Sequence, residues 1–335
     1  MSRVAVIGAG AWGTGLAMVL GRKGTHQIRL WANEPEVCES IAKRRMNESF
    51  LPGFALPESI SATNDLEFAL DAAEIIVSVM PSQHCRALFR KMEPLLHRDA
   101  LFVSCTKGIE DVTLLRMTEV VADVLKNRFT PRIGALSGPS FAKEVARGDP
   151  TAVTVASMDG EVTRAVQHAF NDSRFRVYTN DDVVGVELGG ALKNIIAIAA
   201  GVCDGLGLGH NSVAALITRG LAEIARLVVA CGGRLDTVAG LAGLGDLVLT
   251  CTGDLSRNRS VGVELGKGRQ LREIIASMHG AVAEGVFTTK AAVGLARKKN
   301  VEMPITEQMF DILENGKSPQ QAIEELMTRA AKSEI

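Results

Sequence analysis

Arg3-Val4-Ala5-Val6-Ile7-Gly8-Ala9-Gly10-Ala11-Trp12-Gly13 decides how the first half of the chain is read. Its first five residues are a short, mostly apolar, β-rich run of the kind that forms a strand buried on both faces of a parallel sheet. The run ends in a GxGxxG pattern. An apolar helical pattern follows from Thr14 to Gly21, and Ile28-Arg29-Leu30-Trp31 reads as a second strand. In that context the glycines have separate tasks. Gly8 permits the tight turn, Gly10 lets a pyrophosphate approach the backbone, and Gly13 lets the helix pack close to the strand. The free N–H groups at the helix start then hold phosphates. A strand-to-helix turn without a ligand does not need three glycines, so the stretch predicts a dinucleotide site.

Working outward, strands and helices keep alternating. Glu74–Met80 reads as a strand, with Pro81 opening a helix to about Met92. Ala100–Cys105 and Arg132–Leu136 are further strands, as are Ala152–Ala156 and Arg174–Tyr178, for about eight in all. Ligands in such sheets bind beyond the carboxyl ends of strands. Lys107 and the Ser137-Gly138-Pro139-Ser140 loop lie there, and Lys107 suits an anionic ligand. From Asp181 on, the pattern is helical. At 335 residues the chain is too long for one comfortable core. The expectation is an α/β protein with a Rossmann-type doubly wound sheet over residues 1–180 and an all-α domain over 181–335.

After the second strand comes Ala32-Asn33-Glu34. An acid here favours a free ribose hydroxyl and an arginine favours a 2′-phosphate. Glu34 leans toward NAD, while Lys43, Arg44 and Arg45 lie further on, either swinging in or forming a solvated face. The choice between NAD and NADP stays open.

The stretch Glu187–Ala200 reads as a helix apolar nearly all round, hence buried. Yet Lys193 and Asn194 sit in its middle. Burying an unpaired ammonium costs several kcal/mol. Lys193 must therefore have a partner, lose its proton, face a cavity, or snorkel to water. Asp246, closing the glycine-rich run Ala239–Gly245, is a carboxylate suited to partner it. A turn at Gly205–His210 leads to a helix capped by Asn211 or Ser212 and running to about Val229. Ser256-Arg257-Asn258 combines a planar fork of donors with neutral donors, as a phosphate site requires. The last helix opens at Ser318-Pro319 with a capping box, its solvated face carrying Gln321, Glu324, Glu325 and Lys332.

Composition bounds the function. Hydrophobic residues make up 47% and charged residues 22%, and the net charge is -1. That balance gives no basic footprint for nucleic acid. The six cysteines are scattered, with no CxxC or CxxH spacing, which predicts reduced, mostly buried thiols and no metal site. The N-terminus runs straight into a strand with no signal-peptide pattern, and no unbroken apolar run reaches membrane-span length.

Taken together, six stretches resemble the NAD(P)-dependent glycerol-3-phosphate dehydrogenase family of bacterial type. They are Gly8–Thr14, Cys105–Glu110, Ser137–Ala142, Gly190–Asn194, Gly243–Asp246 and Ser256–Asn258. The resemblance covers nearly the whole chain. It implies a helical domain like that of 6-phosphogluconate dehydrogenases, interconversion of dihydroxyacetone phosphate and sn-glycerol 3-phosphate, a supply to phospholipid synthesis, a cytoplasmic location and a homodimer. It implies Lys193 as catalytic acid/base, with Lys107, Asn194 and Asp246 in support. Gly138, Ser140, Ser256, Arg257 and Asn258 then join Lys107, Lys193 and Asp246 around a phosphorylated three-carbon substrate. Gly8, Gly10, Ala11, Trp12, Gly13, Asn33, Phe50, Lys107, Ala142, Arg257 and Glu284 line the NAD or NADP. Phe50 stands where relatives often carry tyrosine, and Gly15 where alanine is usual. Two rivals remain at this stage. One is a hydroxy-acid or sugar-acid dehydrogenase on the same fold; the other is a dinucleotide-binding module without turnover.

Overall fold

The computed structural model describes residues 2–278, 282–331 and 333; Lys332 lies outside them. The first half is an eight-stranded sheet. Its strands are β1 (Ser2–Ile7), β2 (His26–Trp31), β3 (Ile60–Thr63), β4 (Ile75–Ser78), β5 (Leu101–Ser104), β6 (Arg132–Ser137), β7 (Thr151–Ala156) and β8 (Phe175–Asn180). The spatial order is β3-β2-β1-β4-β5-β6-β7-β8. Every neighbouring pair is parallel except β6 with β7. β1 shows why both faces are covered: Val4 and Val6 enter one core with Leu16 and Leu20, while Ala5 and Ile7 enter another with Phe89 and Phe102. The strand order reverses between β1 and β4, which opens a crevice at their carboxyl ends.

Helix α1 (Ala11–Arg22) follows β1 directly, with Gly10 at its N-cap. Helix α2 (Pro35–Arg44) follows β2. Two local expectations are corrected, and one strand carries no sequence signal. β3 escapes the sequence pattern because it is only four residues long and half polar. The segment after Pro81 begins as a single 3₁₀ turn, Ser82–His84, before the α-helix Cys85–Met92. The helix His210–Ala230 is capped by Gly209, whose extended backbone needs no side-chain oxygen, and not by Asn211 or Ser212.

Beyond Asn180 the described residues contain helices and no strand. They surround one central helix, Val183–Gly205, buried from Gly185 to Cys203. By length and hydropathy alone it would pass as a membrane span, but 89% of its apolar window is covered by protein. It meets the helix Arg257–Gly266 almost backbone to backbone. A Cβ added at Gly201 would overlap the carbonyl oxygen of Arg259, and one at Gly262 would overlap that of Ile198. Glycines spaced four apart on both helices, Gly201 with Gly205 and Gly262 with Gly266, permit this approach.

The central helix is also fastened to the sheet half. Buried Glu187 accepts hydrogen bonds from Thr118 N–H at 2.8 Å, Thr118 Oγ1 at 2.6 Å and Arg116 at 2.6 Å. Burial raises its carboxyl above the usual range, against the pull of Arg116 and Thr118.

Candidate functional site

The site is assembled where the central helix passes the carboxyl ends of the strands. Lys193 is 5% exposed. Its Nζ donates to Asp246 Oδ1 at 2.5 Å and to Thr250 Oγ1 at 2.6 Å. The other oxygen of Asp246 takes Lys107 Nζ, also at 2.5 Å, and Lys107 makes a second hydrogen bond to the Gly138 carbonyl at 3.3 Å. One buried carboxylate therefore orients two lysines from two different segments. Of the alternatives open to Lys193 in the sequence, the partner is the one realised.

Local structure explains how Asp246 reaches this place. The glycine-rich run folds as a π-helical turn, Leu241–Gly245, and Asp246 begins the following α-helix. Such turns are rare and gather at functional sites. Here the small residues let the turn lie against the central helix, where a Cβ at Gly189 would sit 3.0 Å from the Ala242 carbonyl. Thr250, one turn after Asp246, accepts from Lys193 while its own hydroxyl donates to the Asp246 carbonyl at 2.6 Å.

The charges shift each other. Burial lowers Lys193, Asp246 opposes that, and Lys107 adds to it, with the net result brought down to about 8. Desolvation is the largest of these effects. Burial pushes Asp246 up, but Lys107 and Lys193 outweigh it and hold its carboxyl below the usual carboxylate range.

Asn194, beside Lys193, accepts from Asn258 Nδ2 at 3.0 Å, and Asn258 Oδ1 accepts from Gly285 N–H at 2.9 Å. Ser256 is the N-cap of the helix that Arg257 and Asn258 open, its Oγ taking Arg259 N–H at 3.2 Å. A helix N-terminus of this kind carries a positive dipole end that favours an anion. Arg257 stands in the same turn, exposed, with Nη1 3.5 Å from the Val282 carbonyl. Ser140 donates to the Gly138 carbonyl at 2.9 Å, on the loop that Lys107 also touches.

The glycine loop fits a dinucleotide. Gly8 has φ +119°, and a Cβ there would overlap the Val79 carbonyl; one at Gly13 would overlap the Gly8 carbonyl. Gly10 differs, since nothing lies within 4 Å of its Cβ position, leaving room for a pyrophosphate. Trp12 Nε1 is buried without a hydrogen-bond partner among the described residues. Ala142 packs beside Trp12 and Gly15. A Cβ at Gly15 would only meet Ala142 in ordinary contact, so this glycine is not sterically required.

Two supporting residues give no signal in the sequence. Fully buried Asn47 donates to the Ala9 carbonyl and to Thr14 Oγ1, both at 2.8 Å, and accepts from Phe50 N–H at 3.1 Å. It braces the glycine loop and places Phe50. Ser82, beyond β4, donates through Oγ at 2.7 Å and N–H at 3.3 Å to Glu284. That pair joins the sheet half to the helical half, and burial pushes the Glu284 carboxyl up to about 7 against these bonds. Arg45 departs from expectation: it is no solvated charge but is anchored on the carbonyls of Leu56, Pro57 and Ile60. Asn33, at the exposed end of β2, makes no side-chain hydrogen bond among the described residues.

The family model described as NAD-dependent glycerol-3-phosphate dehydrogenase N-terminus matches residues 3–163, and that described as the C-terminus matches 182–324. The chain is similar to the glycerol-3-phosphate dehydrogenase [NAD(P)+] of Koribacter versatilis, at 67% identity covering 100% of this chain and 99% of that protein. It is similar to that of Acidobacterium capsulatum, at 56% identity covering 100% of both. Among solved structures it resembles the glycerol-3-phosphate dehydrogenase of Coxiella burnetii, with 43% identity, a TM-score of 0.93 and coverage of 98% and 99%.

Proposed function

We propose the following division of labour for a chain that belongs to the NAD-dependent glycerol-3-phosphate dehydrogenase family. The enzyme interconverts dihydroxyacetone phosphate and sn-glycerol 3-phosphate with NAD(P)H and feeds glycerophospholipid synthesis. Lys193 exchanges the proton at the substrate's carbonyl oxygen. The observation that carries this reading is the buried Lys193, fixed by Asp246 and Thr250 beside Lys107. Two of the three ammonium donors are engaged by protein; the third is available to the substrate oxygen.

Reduction of a ketone needs a hydride at carbon and a proton at oxygen. The nicotinamide supplies the hydride when bound. The chain's part is to hold the carbonyl carbon at a near-attack distance of roughly 3 to 3.5 Å. Lys193 hydrogen-bonds the carbonyl oxygen, stabilises its growing negative charge and delivers the proton. Lys107 adds positive potential from the other side of Asp246. The amide of Asn194, held by Asn258, donates to the substrate. Ser256, Arg257 and Asn258 take the phosphate at the helix N-terminus, while Gly138 and Ser140 close the substrate side. Gly8, Gly10, Ala11, Trp12, Gly13, Asn33, Phe50, Ala142 and Glu284 shape the cofactor side, with Lys107 and Arg257 between the two. Binding at the remote phosphate is used for orientation, so a substrate lacking it loses turnover as well as affinity.

Residues 1–180 form the dinucleotide domain and 181–335 the substrate domain, a division supported by the end of β8 at Asn180 and the helix start at Val183. The enzyme acts in the cytoplasm as a homodimer through the helical domain, where Val229 and Leu235 offer exposed apolar surface.

The test is direct. Purified protein is mixed with dihydroxyacetone phosphate and either NADH or NADPH, and the nicotinamide absorbance is followed. Oxidation above the substrate-free control is expected. A flat trace with both, from protein shown to bind NADH, overturns the substrate assignment and points to phosphate-free hydroxy acids.

A further inference from the structure

We propose that Glu187 is a positioning residue for the reaction: it clamps the loop that carries Lys107 against the helix that carries Lys193. The inference rests on the proposed roles of those two lysines and adds what holds them in register across Asp246.

Lys107 comes from the sheet half, on the loop that runs from β5 to the helix Met117–Leu125. Lys193 comes from the central helix of the other half. The loop reaches across. Ile109 is 3% exposed and shares one apolar core with Leu188, Leu192 and Ile195 of the central helix, and Leu114 packs against that core. A Cβ at Gly190 would lie 3.8 Å from Lys107 Cγ, so the stem of Lys107 passes close to the same helix. The loop also holds its own shape. Glu110 N–H bonds the Leu115 carbonyl at 3.0 Å, and the Glu110 carboxylate takes two hydrogen bonds from Arg86, both at 2.9 Å. Leu114 has φ +61°, a conformation that a leucine keeps only where its surroundings enforce it.

Apolar contact is non-directional; Glu187 supplies the direction. It stands on the central helix less than two turns before Lys193. Its carboxylate takes Thr118 N–H at 2.8 Å, Thr118 Oγ1 at 2.6 Å and Arg116 Nη1 at 2.6 Å, where the loop ends. The helix that opens there has Arg116 at its N-cap, and an arginine side chain has no acceptor. Glu187 therefore serves a free helix N–H from outside, at the dipole end that favours negative charge. Arg116 is fixed in turn by Glu119 at 2.9 Å. Merely joining two halves needs no buried ion pair, since apolar residues of like volume do that as well. The carboxylate adds a set distance and angle. The loop is thus pinned twice: Lys107 on Asp246 at its start, Arg116 and Thr118 on Glu187 at its end. A misplacement of about 1 Å in a reacting constellation costs on the order of 10² in rate.

Glu187→Gln in the full chain tests this. The kcat for reduction of dihydroxyacetone phosphate should fall about tenfold or more, while NADH affinity, read from nicotinamide fluorescence without substrate, stays unchanged. The pH profile should move as well. Lys193 faces Asp246, Lys107 and Cys251, and of these Lys107 lowers it. A Lys107 no longer held in place lowers it less, so the decline of the reduction rate shifts above its wild-type pH. The decisive arm is a double-mutant cycle. In a Lys107→Met background, Glu187→Gln should neither lower kcat further nor move the pH limb, because its effect runs through Lys107. Independent, multiplicative losses would show a structural fastener only and overturn the proposal, as would wild-type kcat in folded Glu187→Gln. Thr118→Val, which removes only the hydroxyl donor, should give a smaller version of the same coupled loss, and it carries the cycle should Glu187→Gln fail to fold. Wild-type turnover in Lys107→Met alone removes the reading on which the inference stands, a result distinct from a loss there without coupling to Glu187.

Discussion

Asp246 Oδ1 lies 2.5 Å from Lys193 Nζ, with the two side chains only 2% and 6% exposed. An ion pair this far from water is sensitive to either partner's loss. Lys193→Ala leaves Asp246 still paired with Lys107, so the variant should fold and bind cofactor. Turnover should fall on the order of 10² to 10⁴. Steady-state kinetics beside cofactor titration checks both halves, and near-normal turnover would reduce Lys193 to a packed core residue.

The depressed Lys193 sets a pH dependence. With its ammonium as the proposed acid for ketone reduction, that rate should decline as pH rises through about 8. Alcohol oxidation needs the free amine and should rise across the same window. Asp246→Asn removes the charge that raises Lys193, so both limbs should move to lower pH. It also leaves two lysines without their counter-charge, at a cost of about 3 to 5 kcal/mol. Rate profiles in both directions, with a thermal melt, test the pair of effects.

Glu284 makes stability depend on pH. Its folded carboxyl is raised to about 7 from an ordinary 4.5. The folded state therefore holds its proton more tightly than the unfolded state. The resulting stabilisation is complete below about pH 4.5 and is lost as pH rises through about 7. Glu223, raised to about 6 by burial, acts in the same direction over an overlapping window. The thermal midpoint should drop between pH 5 and pH 8, and Glu284→Gln should flatten that drop in part. An identical slope in wild type and variant would show that Glu284 does not titrate there.

Asn47 touches no substrate, yet it should control cofactor affinity. Asn47→Ala removes two donors from the back of the glycine loop and the acceptor for Phe50 N–H. A cost of about 1 to 3 kcal/mol follows from the unsatisfied buried groups. Cofactor KM should rise on the order of tenfold, with kcat at saturation largely kept. Equal losses in kcat and kcat/KM would place Asn47 in the chemistry instead.

Much of this molecule is legible in one dimension because its strongest constraints are local. The GxGxxG turn, its strand and its helix lie within 22 residues, and a lysine in an apolar helix declares its need for a partner. Thr250, Asn47 and Ser82 could not be read. Each is an ordinary polar residue whose importance comes from a neighbour 57, 38 or 202 positions away. Arg45 was misread for the same reason: a cation at a helix end is usually solvated, and only the fold brings three carbonyls to it. Local pattern could not give the net balance at Lys193, because its largest contribution is the depth to which the fold buries the lysine.

The glycine seam between Val183–Gly205 and Arg257–Gly266 acts as a ruler. With backbone against backbone, neither helix can slide without collision. In the proposed mechanism the first helix carries Lys193, assigned to the carbonyl oxygen, and the second opens with Ser256, Arg257 and Asn258, assigned to the phosphate. The span between those two ends of the substrate is therefore written into main-chain geometry rather than into any side chain of the pocket. Enlarging the pocket wall alone would not admit a longer sugar phosphate productively; acceptance of one requires shifting a whole helix, a change that single substitutions do not supply.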